Sequence, residues 1–407
     1  MLNGSFLIVT IIAFITILNG CDARTENPDT ELLAKSGSEI YSASETQNQM
    51  RQRQTIDIAE SRRNAITEAV ENCSPAIVGI NITEIKEVQY RDRFHDHPMF
   101  RFFFGDRGRT YSRKYKVEGL GSGFLISADG YILTNHHVAG NASEIIVTLT
   151  NGEKYEAEII GSDMVSDVAL LKIDGKGLPY LKLGDSDDTI IGEWVIALGN
   201  PFGLFDINAK PTITVGVVSN TNVHMLQEDR PYNRVYKDML QTDAAISSGN
   251  SGGPLVNSLG EVIGMNTIIF STAQSRSGAG SIGIGFSIPI NRVKKIVDIL
   301  TEKGEIDRNF YTGMEIRELD DELARYLGTD KTEGVVIFAI ERGSPADRSG
   351  LEPGDIIQKI DDMKILRPDD YYIAVNDAVT GQELDLTILR NDNRLKIQLI
   401  LKPRKGM

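Results

Sequence analysis

The sequence predicts a mainly β chain with two folded units, and three observations carry that expectation. Short apolar runs at Ile77–Ile82, Phe124–Ile126, Tyr131–Leu133 and Val168–Ile173 recur between turn signals such as Ala128-Asp129-Gly130, Asn151-Gly152 and Asp174-Gly175. Regular short strands of this kind, with no long helical period among them, build a barrel or a sandwich. A helical pattern then runs from Ile290 to Lys303, with Val293, Ile296, Val297 and Leu300 on one face and Gly304 behind it as a stop signal. Beyond Gly304 lies a separate unit of roughly a hundred residues, the size of one domain. A length of 407 residues suits two or three domains.

Composition narrows the function classes. A hydrophobic content of 41% supports real cores, and the net charge of −14 argues against nucleic acid as a partner, because phosphate binding needs a basic surface. Two cysteines, Cys21 and Cys73, are too few for a disulfide framework. Cys73, between Asn72 and Ser74, reads as a small buried hydrophobe.

From the N-terminus, Phe6 to Leu18 is uninterrupted in apolar and small residues but shorter than the about 20 that a bilayer span needs. It reads as the apolar region of an export signal, although no Lys or Arg precedes it, which keeps an uncleaved short anchor open. From Asp22 to about Glu60 the chain is rich in Ser, Thr, Glu, Asn and Gln without a sustained apolar face, as in a flexible tether. A helix is expected from about Ser61, ending before Pro75, and a strand over Ile77–Ile82. Lys86 to Val117 reads as a long irregular insertion, basic at Arg91, Arg93, Arg101 and Arg107 and aromatic at Phe102-Phe103-Phe104. An exposed aromatic run needs a partner surface. His95 and His97 within it lack further ligands, so no metal is expected.

Three stretches carry chemistry. In Gly249-Asn250-Ser251-Gly252-Gly253-Pro254 the flanking glycines free the backbone around one serine. That suits a nucleophile beside an oxyanion hole built from Gly249, Asn250 and Ser251, although a glycine turn between strands fits equally well in isolation. A serine hydroxyl needs a histidine to take its proton and a carboxylate to orient that histidine. Thr134-Asn135-His136-His137-Val138 holds two of the five histidines, and Ser166-Asp167 places a carboxylate at the mouth of an apolar run. The order His, Asp, Ser is one of several that reach the same triad geometry.

Together these motifs resemble the HtrA/Deg family of trypsin-like serine proteases, and the resemblance runs from about Ser61 to the C-terminus. It implies His137 as base, with His136 as the minor alternative, Asp167 as orienting carboxylate and Ser251 as nucleophile. The implied fold is a chymotrypsin-like double β-barrel protease domain over 61–304, with the triad in the cleft between two six-stranded barrels. Ile246, Ile269 and Phe270 would line an uncharged first specificity pocket. Gly343-Ser344-Pro345-Ala346 and Gly350-Leu351-Glu352-Pro353-Gly354-Asp355 resemble one α+β PDZ domain over 305–403. There Tyr311, Thr312, Gly313 and Met314 would form the carboxylate-binding loop, the next strand would take a peptide by strand addition, and a helix around Asp369–Val379 would form the other wall. Gly20-Cys21 resembles a lipobox, implying a signal peptide over 1–20, a lipidated Cys21 and a tether over 21–60.

The implied activity is that of an exported, membrane-tethered serine endopeptidase of protein quality control, without cofactor or metal. Its partners would be unfolded proteins, peptide C-termini and copies of itself in a trimer or larger assembly, in the periplasm. Two other readings stay open: a regulatory protease cutting one membrane signalling protein, and a PDZ-dominated chaperone or scaffold with slow hydrolysis.

Overall fold

In the computed structural model the described residues are 51, 62–91, 110–200, 210–229, 232–247, 249–269, 283–330 and 333–403. All but residues 51 and 62 belong to one compact unit spanning 63–407. Helix α1 (Ala65–Cys73) opens it. Asn64 caps the helix by accepting from the Thr67 amide, while Thr67 Oγ1 accepts from the Asn64 amide, so two donors of the first turn are satisfied reciprocally. The helix therefore begins a few residues later than the apolar pattern alone suggests. Cys73, at its end, is 1% exposed, and its thiol donates to the Gly260 carbonyl; burial pushes the thiol up to about 11.

Strands β1 (Ile77–Arg91), β2 (Thr110–Leu125), β3 (Tyr131–Thr134), β4 (Glu144–Leu149), β5 (Lys154–Asp163) and β6 (Val168–Ile173) close a first barrel in the order β1-β2-β3-β6-β5-β4. The β1–β2 ladder runs unbroken from Ile77 opposite Phe124 to Arg91 opposite Thr110. The stretch expected to be irregular from Lys86 to Val117 is therefore ordered as strand at both ends. Once two antiparallel strands are in register, each further pair satisfies its own backbone groups, and composition does not report that. Residues 92–109, with Phe102-Phe103-Phe104, His95 and His97, lie outside the described residues. Strand β6 reads apolar on both faces, and Val168, Ala169, Leu170 and Leu171 are each 0% exposed, as expected of a strand covered on both sides.

A second barrel closes in the order β10-β11-β12-β9-β8-β7, from β7 (Trp194–Gly199), β8 (Thr212–Asp229), β9 (Tyr232–Thr242), β10 (Pro254–Asn257), β11 (Val262–Ile269) and β12 (Gly285–Pro289). Helix α3 (Ile290–Lys303) follows and buries Ile290, Val293, Ile296 and Leu300, ending at Gly304 with φ 75°, where a glycine takes the left-handed conformation cheaply. It touches strands of both barrels, with Gly161 of β5 packed so closely that a Cβ there would lie 2.5 Å from the Gly304 carbonyl.

The last unit is a sheet in the order β13-β14-β15-β17-β18, from β13 (Met314–Glu318), β14 (Val335–Ile340), β15 (Ile356–Ile360), β17 (Glu383–Arg390) and β18 (Asn393–Ile400), with β16 (Met363–Lys364) paired to β15. Helices α4 (Asp321–Leu327), α5 (Pro345–Arg348) and α6 (Pro368–Asn376) complete it. Helix α6 ends three residues short of the expected Val379, with Asp377 as its C-cap. The unit docks on the barrels through its own core, which includes Val235 of β9. Two cations fasten the dock. Arg308 meets Asp163 at 2.7 Å and donates to the carbonyls at the end of α6, and Arg292 of α3 meets Asp377 at 2.5 Å. Cations at a helix C-terminus satisfy orphan carbonyls and complement the helix dipole.

Leu171, paired with Ile132 and Ile159 on its two sides, anchors the first barrel. Leu171→Ala is expected to destabilise the fold by about 2–5 kcal/mol through lost burial and a residual cavity. Urea unfolding measures this, and a midpoint equal to wild type would mean the site collapses without cost.

Candidate active site

The turn from β3 into the short helix α2 (His136–Ala139) places two histidines in different surroundings. His137 turns to Asp167, with Nδ1 at 2.8 Å from Oδ2 and 3.0 Å from Oδ1, while its amide donates to Oδ1 at 3.0 Å. Its side chain is 30% exposed against 0% for the carboxylate. His136 is 6% exposed and turns away; its Nδ1 lies 3.2 Å from Ser162 Oγ, and its Nε2 is buried without a partner among the described residues.

Asp167 precedes β6 with φ 60°, a left-handed conformation rare for a residue with a Cβ. Its surroundings over-determine it. Its carbonyl accepts from the His136 amide at 3.2 Å and from Asn135 Nδ2 at 3.0 Å. Its carboxylate accepts from Thr267 Oγ1 at 2.6 Å in addition to His137. Burial pushes the Asp167 carboxyl upward, but the facing His137, the hydrogen bonds from His137 and Thr267, and the charge of Arg234 outweigh it, so the group sits below the ordinary 3.8. Asp167 is therefore ionised at neutral pH although fully buried.

Ser251 lies across the cleft, 5% exposed, just before β10. Its hydroxyl donates to the Thr267 carbonyl at 3.1 Å, so one residue of β11 binds Asp167 through its side chain and Ser251 through its backbone. The amides of Gly249 and Ser251 make no hydrogen bond among the described residues, whereas the intervening Asn250 amide donates to the Ser247 carbonyl at 2.9 Å. The glycines after the serine leave room for neighbouring backbone. At Gly252, with φ 83°, a Cβ would lie 2.3 Å from the Ser122 carbonyl, and at Gly253 2.1 Å from that of Leu198. Both allow backbone of neighbouring strands to close on the turn.

Ile246 is fully buried, against Gly285, where a Cβ would lie 2.8 Å from Ile246 Cδ1. Ile269 ends β11 with its backbone opposite Gly285; its side chain and Phe270 lie outside the described residues. Cys21 does too. Tyr311, Thr312, Gly313 and Met314 line a groove of about 610 Å³ between β13 and α6, with Ile340 and Tyr371 among its walls. Thr312 Oγ1 lies 3.3 Å from Tyr371 Oη and accepts from the Met314 amide at 3.3 Å, joining the loop to the helix. β13 is an edge strand, so its outer backbone groups face this groove.

Thr267 was not legible as part of the site, because nothing in its local sequence marks a partner a hundred positions upstream. The positive-φ Asp167 was likewise invisible, although an apolar run entered by one carboxylate was a usable signal.

A double barrel with a buried aspartate–histidine pair facing a serine across its cleft, followed by a separate peptide-groove domain, defines a trypsin-like serine peptidase with an appended PDZ unit. Comparison with known proteins agrees: the trypsin-like peptidase domain family matches residues 121–265, and the PDZ domain family matches residues 310–401. A probable periplasmic serine endoprotease of DegP-like type from Ectopseudomonas mendocina is 37% identical over 357 residues, covering 84% of this chain and 72% of that protein. The one from Chlamydia muridarum is 39% identical over 315 residues, covering 75% and 59%. Among solved structures, the HtrA-type protease AlgW with a decapeptide is 37% identical with a TM-score of 0.60, covering 85% of this chain and 100% of that one. The chain belongs to the HtrA/Deg family of serine endoproteases.

The two histidines also predict a pH effect. Burial holds His136 below the ordinary 6.5; the negative charges of Asp167 and Asp163 oppose that, and Arg234 and His137 reinforce it. A depressed histidine takes up its proton more readily unfolded, so the fold loses stability as pH falls below 6.5 through the folded value. In His136→Asn, which cannot protonate, the fall in thermal midpoint between neutral and mildly acidic pH is expected to be shallower than in wild type. Parallel slopes for the two proteins would assign the pH dependence elsewhere.

Proposed function

We propose that this chain is an exported serine endopeptidase of protein quality control, with Ser251, His137 and Asp167 as its triad, over a protease domain at 61–304 and a PDZ domain at 305–403. The single observation that carries the triad is the buried, ionised Asp167 held against His137 Nδ1, with Ser251 on the same supporting residue, Thr267. The Ser251 hydroxyl leaves the Thr267 carbonyl by rotating about its own side chain and hydrogen-bonds His137 Nε2. His137 takes the proton as the serine oxygen attacks the peptide carbonyl, while Asp167 keeps the proton on Nδ1 and stabilises the imidazolium. The amides of Gly249 and Ser251, with Asn250 holding the turn between them, receive the developing oxyanion. His137 then protonates the leaving amine, and water releases the acyl group by the reverse sequence. Catalytic hydrogen bonds often tighten only with substrate present, so the parked serine agrees with this route. His136, turned to Ser162, has no path to Ser251.

Ile246, Ile269 and Phe270 carry no charge, and a substrate Lys or Arg among them would be buried unpaired at a cost of several kcal/mol, by order of magnitude. Cleavage after Val, Ile or Ala follows. The groove between β13 and α6 receives peptide C-termini: β13 supplies an unpaired backbone edge and Tyr311–Met314 the end that holds the carboxylate. The relatives named as periplasmic endoproteases and the decapeptide of AlgW support this setting. We further take 1–20 as a signal, Cys21 as the lipidated first residue of the mature protein, 21–60 as its tether and a homotrimer as the working assembly, under conditions of protein stress. A flexible tether of that length spreads to about 35 Å, letting the enzyme sample the space around its membrane.

Ser251→Ala is expected to lower casein hydrolysis by about 10⁴- to 10⁶-fold. The wild-type cleavage profile, read by mass spectrometry on the same substrate, is expected to be dominated by Val, Ile and Ala before the cut. Hydrolysis persisting in the variant removes Ser251 from the mechanism, and a profile led by Lys/Arg or Phe/Tyr removes the pocket assignment.

Cys21→Ser is expected to leave the signal unprocessed or to release the protease to the soluble fraction with peptide hydrolysis unchanged. Mass spectrometry of membrane-extracted wild type decides this: an N-terminus at Met1, or unmodified Cys21 in a fully soluble product, excludes the anchor.

A further inference from the structure

We propose that Ser122, in the first barrel, is a positioning residue for the oxyanion turn of the second; the inference rests on Ser251 being the nucleophile. Ser122 is 0% exposed on β2. Its amide donates to the Ser251 carbonyl at 3.1 Å, and its own carbonyl accepts from Thr134 Oγ1 at 2.7 Å. Its hydroxyl donates to the Gly249 carbonyl at 2.5 Å and accepts from the Asn200 amide at 2.7 Å. One side chain thus joins the end of β7 to the serine turn, and one residue holds the carbonyls at both ends of 249–251.

The peptide between Gly249 and Asn250 is fixed at both polar ends, since its carbonyl is bound by Ser122 and its amide donates to Ser247. The two flanking peptides carry the Gly249 and Ser251 amides, which have no internal partners among the described residues. Rotating the central peptide would turn both away from a common point. The Ser247 carbonyl holds the amide end against that rotation, and the Ser122 hydroxyl holds the carbonyl end. An oxyanion hole works only if its donors are aimed before the charge appears, because reorienting dipoles during the reaction forfeits the stabilisation.

Space around the hydroxyl excludes a substitute. A Cβ at Gly199 would lie 2.9 Å from Ser122 Oγ and 2.7 Å from Asn250 Oδ1. The Asn200 and Asn250 side-chain oxygens are buried without a partner among the described residues, and both are acceptors, which cannot donate to the Gly249 carbonyl. A water replacing the hydroxyl would need room and two to four polar partners in a pocket packed this tightly.

The test is Ser122→Ala in the full chain, with a peptide amide substrate, a peptide aldehyde inhibitor and a fluorophosphonate label. The aldehyde forms a hemiacetal whose oxygen occupies the oxyanion position, so its affinity reads the hole directly. Deleting one oxyanion donor costs about 10²- to 10³-fold in kcat, and misaiming rather than deleting is expected to cost about 10- to 100-fold, with KM changed less than about twofold. Aldehyde affinity should fall by the same factor, while the acidic limb of the pH–kcat/KM profile stays in place. The inference is overturned if kcat stays within about twofold of wild type. It is also overturned if kcat falls without aldehyde affinity, or if the pH limb moves with it. Labelling of wild type at a residue other than Ser251 overturns the nucleophile assignment itself and this inference with it. Should Ser122→Ala fail to fold, Ser122→Cys keeps a donor and an acceptor there, bulkier and weaker than the hydroxyl. The same losses in kcat and aldehyde affinity are then expected, and their absence overturns the inference in the same way.

Discussion

A single buried charge organises this protease domain. The Asp167 carboxylate is fully excluded from water, and an unpaired ion there would cost several kcal/mol. Its partners come from both barrels: His137 and its amide from the β3–α2 turn, and the Thr267 hydroxyl from β11. Meeting that demand fixes how the two barrels face each other. The Asp167 backbone lies in the left-handed region, a strained conformation over-determined by the bonds of Asn135 and the His136 amide to its carbonyl and of His137 and Thr267 to its carboxylate. The local sequence around the histidines follows from this geometry. Asn135 precedes α2 and donates through Nδ2 to the Asp167 carbonyl, while His136 packs against Ser162 and His137 faces the carboxylate.

Much of this was legible in the chain, and for physical reasons. Period and punctuation mark short strands, so a barrel or sandwich and helix α3 with its Gly304 stop follow from local pattern, whereas the pair of barrels followed from the family resemblance. The three motif stretches are legible because histidine is scarce, at five in the chain, and because the serine sits among glycines and the aspartate at the mouth of an apolar run. What local pattern cannot carry is pairing at a distance. Thr267 and Ser122 look like ordinary strand residues, and their partners lie 100 and 127 positions away. The strand pairing at Lys86–Arg91 was hidden for a related reason, since a ladder extends by register with its partner rather than by composition. Gly252 and Gly253 were marked as special by sequence, but their reason, the approach of the Ser122 and Leu198 carbonyls, exists only in three dimensions.

The position of Ser251 bears on how the site is poised. Its hydroxyl is held by the Thr267 carbonyl, and a neutral hydrogen bond of this kind contributes about 0.5–1.5 kcal/mol net. The Asp167–His137 pair is charge-assisted and buried on one side, and such bonds are roughly twice as strong. In the triad proposed here the stronger half, Asp167–His137, is therefore assembled before substrate arrives, and the Ser251 hydroxyl rests on the Thr267 carbonyl. Thr267 ties the two halves together, because the same residue that orients the carboxylate also holds the serine. A displacement of β11 would disturb both at once, whereas substrate filling the cleft needs to break only the weaker contact. The energetic step into the reactive arrangement is then small compared with the burial that holds Asp167, and the backbone of the nucleophile turn, tied at Gly249 and Ser251 to Ser122, need not move for it to occur.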